Sequence, residues 1–161
     1  MTQITFITNN FTYKEMVFSE TAIRHGLDNT PNEEQIANYR ALCSEVMEKV
    51  RSIYGKPVTV TSGFRSQAVN KKIKSKPTSA HTRGEAIDFF IHGVCLGHIM
   101  NEVISREDIH YDQIILEFNE WIHISHVRNG INRRQALRTQ VVSTPSVKGS
   151  KSKTIYVPYH P

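Results

Sequence analysis

Long apolar runs are missing from this chain: none approaches the roughly 18–20 residues needed to cross a hydrocarbon core, which excludes a transmembrane helix. Met1-Thr2-Gln3-Ile4 has none of the basic-then-apolar pattern of a secretory leader, so synthesis in a cytoplasm without a signal peptide is expected. Cysteine is scarce. Cys43 and Cys95 stand alone, without the spaced partners of a structural metal site, and both are expected to be reduced and buried. From Arg128 onward there are seven basic residues and no acidic one, whereas residues 1–127 carry 13 Lys and Arg against 15 Asp and Glu. The net charge of +5 therefore belongs to the C-terminal end, which either attracts an anionic polymer or is a solvated tail. A recognition helix and an aromatic stacking platform are also missing, so no nucleic-acid partner is expected.

A length of 161 residues fits one domain with a single core, assigned to residues 1–142, and a basic tail over residues 143–161, where Ser, Thr and Lys leave little to build a core from. At the other end, Ile4 and Phe6 alternate in an edge strand or a loosely attached arm. Thr12-x-x-Glu15 is a capping box opening a short helix, and Gly26 stops a second. Thr30-Pro31-Asn32-Glu33 reads as the start of a long helix over 31–54, with Ile36, Tyr39, Leu42, Val46, Val50 and Ile53 at helical spacing. Val58 to Thr61 reads as a strand, 94–105 as another helix, and Asp112 to Glu117 with Trp121 to Ser125 as a hairpin about Phe118-Asn119-Glu120. Asn129-Gly130 signals a turn after which 134–142 returns as an edge strand. Ile155-Tyr156-Val157 fits a last strand or an extended tail. The class is α+β, a small, mainly antiparallel sheet packed against a long helix.

The chemistry concentrates in Ser79-Ala80-His81-Thr82-Arg83-Gly84-Glu85-Ala86-Ile87-Asp88, where a loop histidine and a strand carboxylate stand seven residues apart across a glycine. Catalytic zinc takes three protein ligands and keeps a fourth position open. His123 in the hairpin is the best third ligand, making His81, Asp88 and His123 the candidate metal set. His92, His98, His110, His126 and His160 suit structural roles better. Two carboxylates compete as general base, Glu117 at the end of the first hairpin strand and Glu120 in the turn; a strand-end residue can face His123, which favours Glu117.

These residues resemble the zinc peptidases of peptidoglycan, the D-alanyl-D-alanine carboxypeptidases and L-alanyl-D-glutamate endopeptidases, above all their small phage-encoded relatives. The resemblance rests on Ser62-Gly63-Phe64-Arg65-Ser66, Ser79-x-His81-x-x-Gly84-x-Ala86-x-Asp88, and Asp112-Gln113 through Glu117 to Trp121-x-His123-x-Ser125. It implies the hedgehog/DD-peptidase fold, Zn2+ on His81, Asp88 and His123, and Glu117 or Glu120 as the catalytic carboxylate. Arg65 would stabilise the oxyanion and bind substrate, Ser79 would bind substrate, and Asp112 or Gln113 would orient the histidines. Peptidoglycan peptides are the implied partners, with an anionic cell-wall polymer on the basic tail. The protein would act at the cell wall or in the virion. The alternative is a non-catalytic, zinc-stabilised wall-binding or virion structural module of the same fold.

Overall fold

The computed structural model describes residues 5–146 and 149–161. Ile4 of the N-terminal alternation and Lys148 of the basic end lie outside the described residues. Phe6 forms only an isolated bridge to Thr12. The Thr12–Glu15 capping box opens α1 (Tyr13–Val17), and α2 (Glu20–His25) ends at Gly26 in the left-handed conformation, as the sequence indicates.

The helix expected over 31–54 is three consecutive pieces: α3 (Glu33–Leu42), a π-helical turn (Cys43–Met47) and α4 (Glu48–Tyr54). Its cap is Asn32 rather than Thr30. The Asn32 side chain accepts from the Gln35 amide and the Gln35 side chain reaches back to the Asn32 amide, so the capping box sits two residues later than expected. Tyr39, Leu42, Cys43, Val46, Met47 and Val50 are all fully buried, which keeps one face on the core through the π turn. Burial of each large apolar side chain is worth about 1.5–3 kcal/mol, enough to outweigh the weaker helix propensity of the valines.

Six strands form one sheet in the order β1-β2-β4-β3-β5-β6: β1 (Val58–Ser62), β2 (Ala86–Ile91), β3 (Gln113–Glu117), β4 (Trp121–Ser125), β5 (Gln135–Ser146) and β6 (Gly149–Pro158). Every neighbouring pair is antiparallel except β3 and β5, so the sheet is mixed. Short helices α5 (Gln67–Lys72) and α6 (Leu96–Ser105) complete the α+β arrangement, α6 packing against β3 and β4. Ile87, Phe89, Ile114, Leu116, Ile122 and Ile124 turn into the core cluster that also holds Tyr39, Leu42 and Met47. The alternate residues of the same strands are left to face the site.

Three expectations are corrected. Residues 134–142 do not return as an edge strand: β5 lies between β3 and β6, and the edges are β1 and β6. The tail boundary at 142/143 falls inside β5, and most of residues 143–161 continues the sheet through ten paired positions of β5 and β6. Backbone pairing needs no apolar composition, which is why a Ser, Thr and Lys-rich stretch forms these strands. Cys43 is buried as expected, but Cys95 is exposed just ahead of α6; both thiols are free. Among the described residues no helix is long and apolar enough to cross a membrane.

Candidate active site

Strand parity assembles the site. Asp88 in β2 stands directly opposite His123 in β4, and His123 opposite Ile115 in β3. Opposed residues project from the same face, so Asp88, His123, Trp121, Ile115 and Glu117 share one side of the sheet. All five line an open cleft of about 800 Å3.

His81 reaches the same point from a 3-10 turn (Ala80–Arg83) that enters β2. That turn ends at Gly84, whose φ of 72° favours glycine and where a Cβ would collide with the Gln35 carbonyl of α3. The buried His81 ring donates from Nδ1 to the Gly63 carbonyl at 2.7 Å. Its Nε2 is thereby left as a lone pair aimed at Asp88 Oδ1 and His123 Nδ1, each 3.1 Å away. His123 Nδ1 lies 2.8 Å from Asp88 Oδ1. Gly63 is equally constrained, since a Cβ there would sit 2.6 Å from the Met16 carbonyl oxygen.

These three atoms fit a metal ion. Ligands about 2.0–2.1 Å from a tetrahedral ion are about 3.3 Å apart, close to the observed separations. Gly63 fixes the His81 tautomer that presents a lone pair, the usual outer support of a metal-binding imidazole. Burial pushes the Asp88 carboxyl up, but His81 and His123 outweigh it and hold the group far below the usual carboxylate range. Burial lowers the His81 pKa against the opposing pull of Asp88, which favours the neutral, ligating imidazole. Among the described residues this is the one group of three such side chains with ligand atoms within 4.8 Å of one another.

Arg65 lines the cleft, its backbone amide donating to the His81 carbonyl at 3.1 Å. Burial lowers its pKa while Asp88 opposes the shift, and its Nε has no hydrogen-bond partner among the described residues. The same holds for the indole nitrogen of Trp121. Two buried donors without partners in a cleft leave hydrogen-bonding capacity for a ligand. Ser79 also lines the cleft, and its carbonyl accepts from the Thr82 amide and hydroxyl.

The two candidate carboxylates are placed differently. Glu117 is buried, 8% exposed, and faces the cleft. Glu120 is exposed in a turn whose central residues, Phe118 and Asn119, both have positive φ, and its amide donates to the Glu117 carbonyl. Burial pushes the Glu117 pKa up, the Asp88 charge adds to this, and His123 and a hydrogen bond from Tyr156 oppose it.

Asp112 and Gln113 do not orient the histidines. Asp112 accepts two bonds from the Arg133 guanidinium, at 2.8 and 2.6 Å, and Gln113 bonds Gln135. Of the remaining histidines, His126 donates from Nδ1 to the His110 carbonyl, and His98 packs edge-on against Tyr54. Sequence reasoning missed the Gly63 carbonyl and Tyr156. For Gly63 a signal exists, a glycine at a strand exit next to Arg65; for Tyr156 none does.

A mixed sheet that gathers two imidazoles, a carboxylate and a separate buried glutamate in one cleft is built as metal-dependent hydrolases are. The chain belongs to the peptidase M15 family, whose pattern matches residues 9–125. It is also similar to the peptidoglycan L,D-endopeptidase MepK of Escherichia coli strain K12, 36% identical over 55 residues, or 31% of this chain and 30% of the relative. The same values hold for the MepK proteins of Escherichia coli O157:H7 and Shigella flexneri. The match therefore spans less than a third of those relatives' length. The family pattern ends at Ser125, so β5 and β6 lie beyond it.

Proposed function

We propose that the protein is a zinc-dependent peptidase that hydrolyses peptidoglycan stem peptides. The observation that carries this reading is the convergence of His81 Nε2, Asp88 Oδ1 and His123 Nδ1 beside the buried Glu117. Two imidazole nitrogens and a carboxylate oxygen suit zinc, and His81, Asp88 and His123 would hold it. When bound, zinc supplies Lewis acidity toward the scissile carbonyl and lowers the pKa of a water to about 7.

The chain's own groups account for the proton movements. Ionised Glu117 accepts a proton from the attacking water and returns it to the leaving nitrogen as the amide C–N bond breaks, leaving an amine and a carboxylate. Arg65 donates toward the negative charge that develops on the carbonyl oxygen, where burial strengthens its effect. Ser79 and the free indole N–H of Trp121 bind the peptide backbone. Glu120, pointing to solvent, takes no part.

Arg65, Lys74, Lys76, Arg83 and Arg133 all border the cleft, which suits a peptide bearing free carboxylates. The relatives named L,D-endopeptidases favour an internal stem-peptide bond over a C-terminal D-alanine. The basic β5–β6 pair adds attraction for an anionic wall polymer. The test is amine release from isolated peptidoglycan: zinc-loaded protein releases it and His123→Ala does not. Tight binding to peptidoglycan without any release by the zinc-loaded protein would replace this reading with that of a wall-binding module.

A further inference from the structure

We propose that Tyr156 is a positioning residue for the reaction: its phenol holds the Glu117 carboxylate, so the C-terminal hairpin is part of the catalytic cleft. The inference rests on the peptidase reading above and extends it to a segment outside the family pattern, which ends at Ser125.

Register brings the two side chains together. Ile115 in β3 is paired with Leu137 in β5, and Thr139, two residues further along β5, is paired with Tyr156 in β6. Partners across a ladder share a face, as do residues two apart on a strand, so Glu117, Leu137, Thr139 and Tyr156 all project to the cleft side. Glu117 and Tyr156 both line the cleft, and each acts on the other's ionisation: the phenol lowers the Glu117 pKa and the carboxylate raises that of Tyr156.

The hairpin is tied to the Glu117 backbone from both sides. Thr139 Oγ1 accepts from the Phe118 amide at 2.7 Å and donates to the Leu116 carbonyl at 3.4 Å. Thr139 thus clamps the residues flanking Glu117 while standing opposite Tyr156. Just past the end of β6, Tyr159 donates from its amide to the Ala136 carbonyl and from its hydroxyl to Asn101 Oδ1. A core-packing role does not account for Tyr156, which is 51% exposed at the cleft wall.

The consequence is orientational. With one carboxylate oxygen engaged by the phenol, the other stays free to accept the water proton in a fixed rotamer. The groups acting on Glu117 are His123 from β4, Asp88 from β2 and Tyr156 from β6; Tyr156 alone among them is not a candidate metal ligand.

The experiment compares wild type, Tyr156→Phe and the control Tyr159→Phe three residues further along the chain, all zinc-loaded. The Glu117 carboxyl is titrated by 13C NMR and stem-peptide hydrolysis is measured in parallel. In Tyr156→Phe the Glu117 midpoint should rise by about one unit, since a donor to the charged form is lost. kcat should fall roughly tenfold, with KM within about twofold and unchanged melting temperature and zinc content. Tyr159→Phe should match wild type in both readouts. An unmoved Glu117 midpoint in Tyr156→Phe overturns the proposal whatever the activity. A moved midpoint in a protein that cleaves no peptide upholds the Tyr156–Glu117 contact and overturns the peptidase reading instead.

Discussion

Asp88 and His123 face each other directly across the β2–β4 ladder, with Asp88 Oδ1 2.8 Å from His123 Nδ1. Two of the three candidate ligands are therefore set by the pairing of interior strands rather than by loops, which holds them in place before any ion arrives. His81 is fixed separately, by Gly63 and by the turn at Gly84.

Asp88→Ala leaves two ligands of three and should lower zinc affinity by more than about a hundredfold. Competition with a chromophoric chelator measures this. Circular dichroism should show the sheet retained, because the core face of β2, Ile87 and Phe89, is untouched.

Glu117→Gln should reduce peptide hydrolysis by roughly 10²–10⁴-fold with zinc still bound, the usual worth of a positioned general base. Glu120→Gln should be near wild type, since that side chain stands in solvent. Near-normal hydrolysis by Glu117→Gln would transfer the role to Glu120.

The pH dependence follows from the raised Glu117 pKa. In the proposed mechanism the ionised form acts as the base, so kcat/KM should fall as pH drops through a value above the ordinary glutamate pKa of about 4.3. Stability carries the opposite sign. A folded-state pKa raised above the unfolded one means that the contribution of this group is fully present below about 4.3 and is lost as pH rises through the folded value. Denaturant titrations of metal-free wild type and Glu117→Gln across that window should differ in slope.

Gly84→Ala places a Cβ against the Gln35 carbonyl at a φ of 72°. A cost of about 1–3 kcal/mol is expected, from strain and from displacement of α3. At roughly 2–4 °C per kcal/mol for a chain of this size, the shift is visible in a thermal melt. Zinc affinity should fall as well, because the displaced turn carries His81.

The convergence of His81, Asp88 and His123 is legible in the sequence because it depends on local features: a glycine-ended turn, strand parity and a hairpin with a three-residue loop. The single core and the α+β class follow from periodicity for the same reason. What stays hidden depends on long-range register. Nothing local shows that β5 joins β3 in parallel, and Ser, Thr and Lys in β5 and β6 look like a solvated tail because their pairing runs through the backbone. Tyr156 meets Glu117 only once both ladders are set. The shift of the helix start from Thr30 to Asn32 is a smaller case, in which Gln35 completes a capping box that Glu33 does not.

The most direct test of a metal-dependent peptidase is the mass of the products from defined peptides containing L-Ala-D-Glu and D-Ala-D-Ala bonds, incubated with zinc-loaded protein, with chelator, and with zinc restored after chelation. Cleavage at one of these bonds is expected, abolished by chelator, restored by zinc and lost in His123→Ala. Intact peptides in every arm, from a protein shown to carry one zinc per chain, would contradict it.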